Sequence, residues 1–198
     1  MELLDWKNNL PDFELTIGEL STLLLKKGIH SFHEACRFVS ELPYKRIANR
    51  GDLAAILIEN GGTCSSKHGF LAQVCLENEC QTIELIAGVF LMSGETHPVI
   101  AAILSNHDLV SIPEMHCYFR YKGERFDFTS PHATFDRIAS KIVREQWIEP
   151  HQVGDWKEKI HKNYIEAWLE RNPQLNKKAA EIWAIREECI KAFIQSGF

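Results

Sequence analysis

The sequence predicts an α+β fold, because helical and strand-like patterns occupy separate stretches of the 198-residue chain. Residues 17–76 carry mostly helical patterns, residues 81–130 are predicted to form strands, and residues 135–198 are predicted to be helical again. The length suits one domain over residues 1–198, with a core of about residues 15–135 and a C-terminal helical extension of about residues 136–198.

The first stretch contains three predicted helices, each with its own start and stop signals. The segment SFHEACRFVSEL begins with a capping residue, Ser31, and ends before a proline. The segment DLAAILIEN begins with Asp52 and ends at a pair of glycines. The third helix is predicted to start at Cys64, directly after Thr63, whose hydroxyl is suited to cap it.

The middle stretch carries the predicted strands. TIELIAGVFLM is an almost continuous apolar run, which is typical of a strand covered on both faces. PVIAAILSNHDLV is ambiguous between helix and strand. MHCYFRY and RFDFT flank a short turn containing Gly123, which predicts a hairpin. Two long amphipathic segments, DWKEKIHKNYIEAWLERN and NKKAAEIWAIREECIKAFI, then complete the helical extension.

Composition and cysteine usage argue against several classes of protein. A net charge of −5 is not what a nucleic-acid-binding protein usually carries. We expect no membrane span and a cytoplasmic location, because no apolar stretch is long enough to cross a bilayer and the N-terminal segment lacks the basic region of a signal peptide. The six cysteines are predicted to be free thiols. Their spacing lacks a paired ligand motif, so no metal or other cofactor is expected.

Cys64 is the candidate nucleophile. The glycines before it allow a sharp turn and a close approach of substrate to the backbone. At the start of a helix the free backbone N–H groups and the positive end of the dipole stabilise a thiolate. The backbone N–H of Cys64 is also placed to donate to an oxyanion. The alternative is a small buried core cysteine.

A base and its orienting carboxylate are predicted on the hairpin. With a two-residue turn at Lys122 and Gly123, His116 and Asp127 become diagonal neighbours on one face, ~7–8 Å apart at the backbone. A three-residue turn would bury Asp127 among aromatic side chains, so we reject that register. The opposite face is then a core face made by Met115, Cys117, Phe119, Phe126 and Phe128.

Four further side chains are candidates for supporting roles around Cys64. Tyr44 either donates a second hydrogen bond to the oxyanion or covers apolar surface, and Asn60 is a weaker donor candidate because it fits ordinary turn chemistry. Lys67 either helps to hold a thiolate or a substrate carboxylate, or is a solvated lysine. His68 lies one helical turn from Cys64 and is predicted to be a buried supporting histidine, because no acid within its reach can be named.

The order of cysteine, histidine and aspartate resembles the transglutaminase-like superfamily of thiol enzymes. The matching segments are GGTC, EMHCYF and RFDFTSP, and LPYKRIANRGDLAAILIENGGTCSSKHGFL is similar to a bacterial group of that superfamily with a Gly-Thr-Cys-Ser-x-Lys-His core. The resemblance covers about residues 31–131. It implies a papain-like core whose nucleophile helix packs on a small antiparallel sheet, with Cys64 as nucleophile, His116 as base and Asp127 as orienter.

The resulting expectation is thiol-dependent acyl transfer or amide hydrolysis through a Cys-His-Asp triad. The substrate would be a peptide or a small amide or ester, which fold analogy does not narrow further. A catalytically silent transglutaminase-like binding module is the alternative. The oligomeric state is left open.

Overall fold

The protein is described by a computed structural model over residues 6–133 and 135–196. A four-stranded sheet in the order β3-β2-β1-β4 is flanked by helices on both sides in the chain, which confirms the α+β class. The outermost residues of the predicted domain, 1–5 and 197–198, lie outside the described residues. The strands, all paired antiparallel, are β1 (Glu84–Ser93), β2 (Ser111–Tyr121), β3 (Glu124–Phe126) and β4 (Ile142–Trp147).

The helices match most of the sequence signals. The helix predicted from Asp52 is shorter than expected, because the Asp52 carboxylate accepts the N–H of Ala54 at 2.9 Å and forms a turn before the helix begins. The ambiguous segment after β1 is helical. In chain order the helices are α1 (Trp6–Asn9), α2 (Glu19–Leu25), α3 (Phe32–Glu41), α4 (Ala55–Ile58), α5 (Cys64–Glu77), α6 (Ala101–Asn106), α7 (Asp136–Ala139), α8 (Asp155–Glu170) and α9 (Ala179–Ser196).

The start of α5 is fixed by the residues around Cys64. The Ser66 hydroxyl accepts the backbone N–H of Thr63 at 2.9 Å, so the first turn of the helix is closed by a side chain. A Cβ on Gly62 would lie only 2.6 Å from that hydroxyl oxygen, so the position requires glycine. The helix therefore begins at Cys64, as the sequence predicts.

The β2–β3 hairpin has the predicted two-residue turn. Tyr121 pairs with Glu124, and Lys122 and Gly123 form the turn with φ angles of 49° and 84°. Two consecutive positive φ angles define a type I′ turn, whose twist matches that of the strands. The two-residue turn and the register that follows from it are therefore confirmed as far as Phe126.

The hairpin ladder is shorter than the sequence suggests. Pairing ends at Phe126, so Asp127 and Thr129 do not face β2 as ladder partners. The next N–H that a longer ladder would direct at β2 is that of Phe128, and it donates to His68 Nε2 at 2.9 Å instead. Asp127 is thus the first residue after β3, where the chain leaves the sheet and the carboxylate contacts His116.

The strand β4 lies in a stretch predicted to be helical, so that part of the secondary-structure prediction is wrong. Its residues include Arg144, Glu145 and Gln146, which favour helices in isolation. The open edge of β1 accepts the segment as an antiparallel partner, with Ile86 opposite Trp147. Tertiary pairing therefore outweighs the local propensity.

Two apolar clusters hold the helices to the sheet. One lies between α5, through Phe70, Leu71 and Val74, and β1 and β2. The other joins the end of β1 to α6 and α9, where Ile182 and Cys189 are fully buried. The C-terminal helices thus pack against the sheet next to the start of β2. Among the described helices, none is long and apolar enough to cross a membrane.

Candidate active site

The structure brings Cys64, His116 and Asp127 together where α5 meets the sheet. Cys64 is 7% exposed at the first position of α5, and His116 lies midway along β2. His116 Nε2 is 2.7 Å from Asp127 Oδ2. The same imidazole is close enough to the Cys64 thiol for its charge and hydrogen bonding to lower the pKa of that thiol. The three side chains therefore form one group at the junction of helix and sheet.

The electrostatics favour an ion pair between the thiol and the imidazole. Burial would raise the pKa of Cys64, but the charge and hydrogen bond of His116, followed by the charge of Lys157, lower this pKa to about 6. Burial would lower the pKa of His116, but Asp127 and then Cys64 hold it well above the ordinary value. At neutral pH the pair is therefore thiolate and imidazolium.

Asp127 is held so that one carboxylate oxygen faces His116. Its Oδ1 accepts the backbone N–H of Thr129 at 2.9 Å and also the Thr129 hydroxyl, which leaves Oδ2 for the imidazole. The Tyr118 ring also stacks with this imidazole, at 5.9 Å between centroids. A Cβ on Gly88 would lie 2.5 Å from the Tyr118 hydroxyl oxygen, so this glycine makes room for the stacking ring.

His68 is fully buried and bonds backbone groups at both ring nitrogens. Its Nδ1 lies 2.9 Å from the carbonyl oxygen of Cys64, and its Nε2 accepts the N–H of Phe128 at 2.9 Å. Nδ1 therefore carries the proton, and burial lowers the pKa of the ring to about 4. The expectation that no acid lies within reach is wrong, since Asp127 Oδ1 is 3.7 Å from Nε2. The neutral ring positions the helix start and the chain after β3.

Substituting His68 by alanine should lower the free energy of unfolding by about 1–3 kcal/mol, because two buried backbone groups lose their partner. Urea denaturation followed by circular dichroism measures the loss. His107→Ala, at a half-exposed histidine, is the control and should change stability by less than about 0.5 kcal/mol. A His68→Ala protein as stable as the control variant would contradict the positioning role.

Both roles predicted for Lys67 from the sequence, a solvated lysine or a ligand of a thiolate or substrate carboxylate, are wrong. It is neither solvated nor available to a substrate, because its side chain is fully buried. Its Nζ donates to the carbonyl oxygens of Leu42 at 2.5 Å, Thr129 at 2.7 Å and Ser40 at 3.3 Å. Burial lowers the pKa of Lys67 to about 8. The residue ties together the end of α3, α5 and the chain after β3.

Of the two predicted oxyanion donors, the structure places only Tyr44 at the site. Tyr44 lies beside Cys64, where burial and then the cysteine's charge raise the pKa of its hydroxyl. Its backbone forms a parallel bridge with Gly62 that fixes this position. Asn60 is exposed on a turn with φ 51° and is not part of the cavity wall around Cys64, in keeping with turn chemistry.

Sequence reasoning missed the residues that α8 and α9 bring to Cys64. Lys157, 6% exposed, donates to Ser65 Oγ at 2.9 Å, and that hydroxyl is 3.8 Å from Cys64 Sγ. Arg186 makes two hydrogen bonds of 2.7 Å to the buried carboxylate of Glu114. The only sequence signal was helical spacing with buried neighbours, and this does not reveal what a lysine contacts 92 positions away in the chain.

Two recesses meet at the candidate site, and Tyr44 lines both. The smaller, a cavity of about 60 Å³, is walled by Cys64, Ser65 and the cations of α8 and α9. The larger, a cleft of about 520 Å³, is walled by His116, Asp127 and the chain after β3. Cys64 and His116 thus line different recesses.

The described cysteines are free thiols, as predicted, and five of the six are buried. Among the described side chains, no group of three or more histidine, cysteine or acidic residues could hold a metal ion. Comparison of the chain with protein-family models, with curated proteins and with solved structures finds no match.

Proposed function

We propose that the protein catalyses thiol-dependent acyl transfer or amide hydrolysis, with Cys64 as nucleophile, His116 as base and Asp127 as orienter. One observation carries the proposal: His116 contacts a carboxylate at 2.7 Å and acts on a neighbouring thiol whose pKa is lowered to about 6. A cysteine that only filled the core would have a raised pKa, as Cys36 and Cys75 do because of burial. The resemblance to transglutaminase-like enzymes points to the same roles.

The reaction would proceed through a thioester. The Cys64 thiolate attacks the carbonyl carbon of an amide or ester and forms a C–S bond. The bond to the leaving nitrogen or oxygen breaks as His116 donates its proton to that atom. Water, or an amine acceptor, then loses a proton to His116 and attacks the thioester, which releases the product and restores the thiolate. Asp127 keeps the imidazole oriented throughout.

The negative charge of the tetrahedral intermediate needs donors beside Cys64. The backbone N–H of Cys64 at the start of α5 is one. The Tyr44 hydroxyl is the second candidate, since Tyr44 lines both recesses and its hydroxyl responds to the charge of Cys64.

Alkylation by iodoacetamide as a function of pH tests the proposal. The rate at Cys64 should be half-maximal near pH 6, because only the thiolate reacts and its pKa is about 6. Mass spectrometry of individual peptides separates Cys64 from Cys80, which is half-exposed and has its own pKa lowered to about 6 by a hydrogen bond with Cys75. The buried cysteines in helices, Cys36 and Cys189, are the unreactive controls.

A silent binding module would behave differently in the same experiment. Labelling of Cys64 that is no faster than labelling of Cys36 and Cys189 would favour that alternative. Hydrolysis of p-nitrophenyl acetate supplies the second readout, in which turnover by the wild type and its loss in Cys64→Ser are expected. A reactive thiol without turnover of any activated ester would also count against catalysis.

A further inference from the structure

The smaller cavity beside Cys64 has a cationic wall. Four cationic side chains line it, together with one acidic side chain, Glu158. Carboxylates hold three of the four: Arg186 contacts Glu114 and Glu187, Arg46 contacts Glu187, and Arg50 contacts Glu158. The fourth, Lys157, has a different environment.

The hydrogen-bond acceptors of Lys157 are neutral oxygens. Its Nζ donates to Ser65 Oγ at 2.9 Å and to the carbonyl oxygen of Met115 at 2.6 Å. Glu114 interacts with it only at longer range and is already bound by Arg186. A buried ammonium without a carboxylate in contact is costly. Lys67 has three carbonyl acceptors for its three N–H groups, whereas the two acceptors of Lys157 leave one N–H to donate to a ligand in the cavity.

The carbonyl oxygens at this edge of β2 can be hydrogen-bonded without the positive charge of Lys157. The strand β3 does not cover the edge of β2 at Pro113 and Met115, and α8 covers this edge instead. His161, one helical turn after Lys157, makes the same kind of bond to the carbonyl oxygen of Pro113 at 3.0 Å. It does so as a neutral ring, because burial lowers the pKa of His161 to about 4. A neutral donor is therefore sufficient at this edge.

Because Cys64 and His116 line different recesses, the acyl part and the leaving group of a substrate would occupy different recesses. His116 lines the larger cleft, so a leaving group that takes its proton belongs there. The acyl part then lies in the smaller cavity, beside Cys64 and Lys157. A volume of about 60 Å³ admits roughly four to six water-sized groups, which limits the acyl part to a short chain.

We propose that the smaller cavity binds an anionic group on the acyl part of the substrate, a carboxylate joined to the scissile carbonyl by a short chain, and that Lys157 contacts it. The inference rests on the proposed function and names its substrate class. Arg46, whose side chain is 41% exposed, adds positive charge at the same wall. Lys157 thus takes the role of carboxylate binding that the sequence had suggested for Lys67.

Two alkylating agents of similar size, one anionic and one neutral, test this site. Iodoacetate carries a carboxylate and iodoacetamide a neutral amide, and each forms one C–S bond at Cys64 with release of iodide. The ratio of their rates at one sulfur is independent of the thiolate fraction. We expect the iodoacetate-to-iodoacetamide ratio at Cys64 to exceed that of free glutathione by at least about fivefold.

The variant Lys157→Met should bring this ratio down by at least about fivefold, while Lys157→Arg keeps it high. Lys159→Met, at an exposed lysine of the same helix, is the control and should leave the ratio unchanged. A wild-type ratio equal to that of glutathione, or a ratio unaffected in folded Lys157→Met, would overturn the inference. Cys64 that reacts with neither agent would instead overturn the proposed function.

A measurement on the wild type covers the case in which Lys157→Met does not fold. Glutarate should protect Cys64 from iodoacetamide at matched ionic strength, whereas the neutral analogue glutaramide should not. Equal protection by both compounds, or by neither, would contradict a site for a carboxylate. Arg46→Gln, at an exposed position of the same wall, should weaken protection by glutarate.

Discussion

Replacing His116 by alanine should reduce alkylation of Cys64 at pH 6 by roughly 100-fold. With a pKa of about 6, half of the Cys64 thiol is ionised at this pH. Without the imidazolium, burial dominates and the pKa returns to at least the ordinary ~8.5, where about 0.3% of a thiol is ionised at pH 6. Ester turnover should be lost as well, because no base remains to move the proton.

The variant His68→Ala serves as the matched comparison for His116→Ala. In the wild type, His68 is closer to Cys64 in sequence than His116 is. Its imidazole is neutral and bonds the carbonyl oxygen of Cys64 at 2.9 Å, not the sulfur. Alkylation of folded His68→Ala should therefore retain its half-maximal rate near pH 6. If His68→Ala abolished the low-pH reactivity and His116→Ala preserved it, the base would be the other histidine.

Replacing Arg186 by methionine should lower the free energy of unfolding by about 3–5 kcal/mol at pH 7. The variant leaves the Glu114 carboxylate, 6% exposed, without the arginine that makes two hydrogen bonds of 2.7 Å to it. Denaturation in urea measures the loss. The double variant Glu114→Leu/Arg186→Met removes both charges and should recover a large part of the stability.

The effect of Arg186→Met should depend on pH in a defined direction. In the wild type burial would raise the pKa of Glu114, but Arg186 lowers it to about 2. The carboxylate thus contributes stability above its unfolded pKa of ~4.3, and this is lost as the pH falls towards 2. In the variant the pKa of Glu114 is raised, so protonation relieves the buried charge. The difference between the proteins should shrink from pH 7 to pH 4; a constant difference would contradict this account.

Local signals in the sequence were sufficient for the elements around the thiol. The cap and glycines before Cys64 predict where α5 begins, and the turn at Gly123 fixes the hairpin register that places His116 and Asp127 on one face. These features depend on residues adjacent in the chain or opposite each other across one turn. Such short-range geometry is what sequence patterns encode.

Contacts between distant segments could not be predicted in this way. The edge strand containing Glu145 has the composition of a helix, and only the open edge of β1 makes it a strand. Lys67 and Lys157 are both buried lysines, yet their acceptors lie on α3, α5, β2 and the chain after β3. A lysine in a sequence looks solvated until the fold supplies its carbonyl oxygens.

The three carbonyl contacts of Lys67 make the site a rigid unit. They fasten α5 to the end of α3 and to Thr129, two residues beyond the carboxylate of Asp127. Displacing any of these segments would strip acceptors from a buried cation, so relative motion between Cys64 and Asp127 is costly. Under the proposed function, a substrate would meet a centre that is assembled before it binds, and any gating of its entry would fall to the surrounding walls.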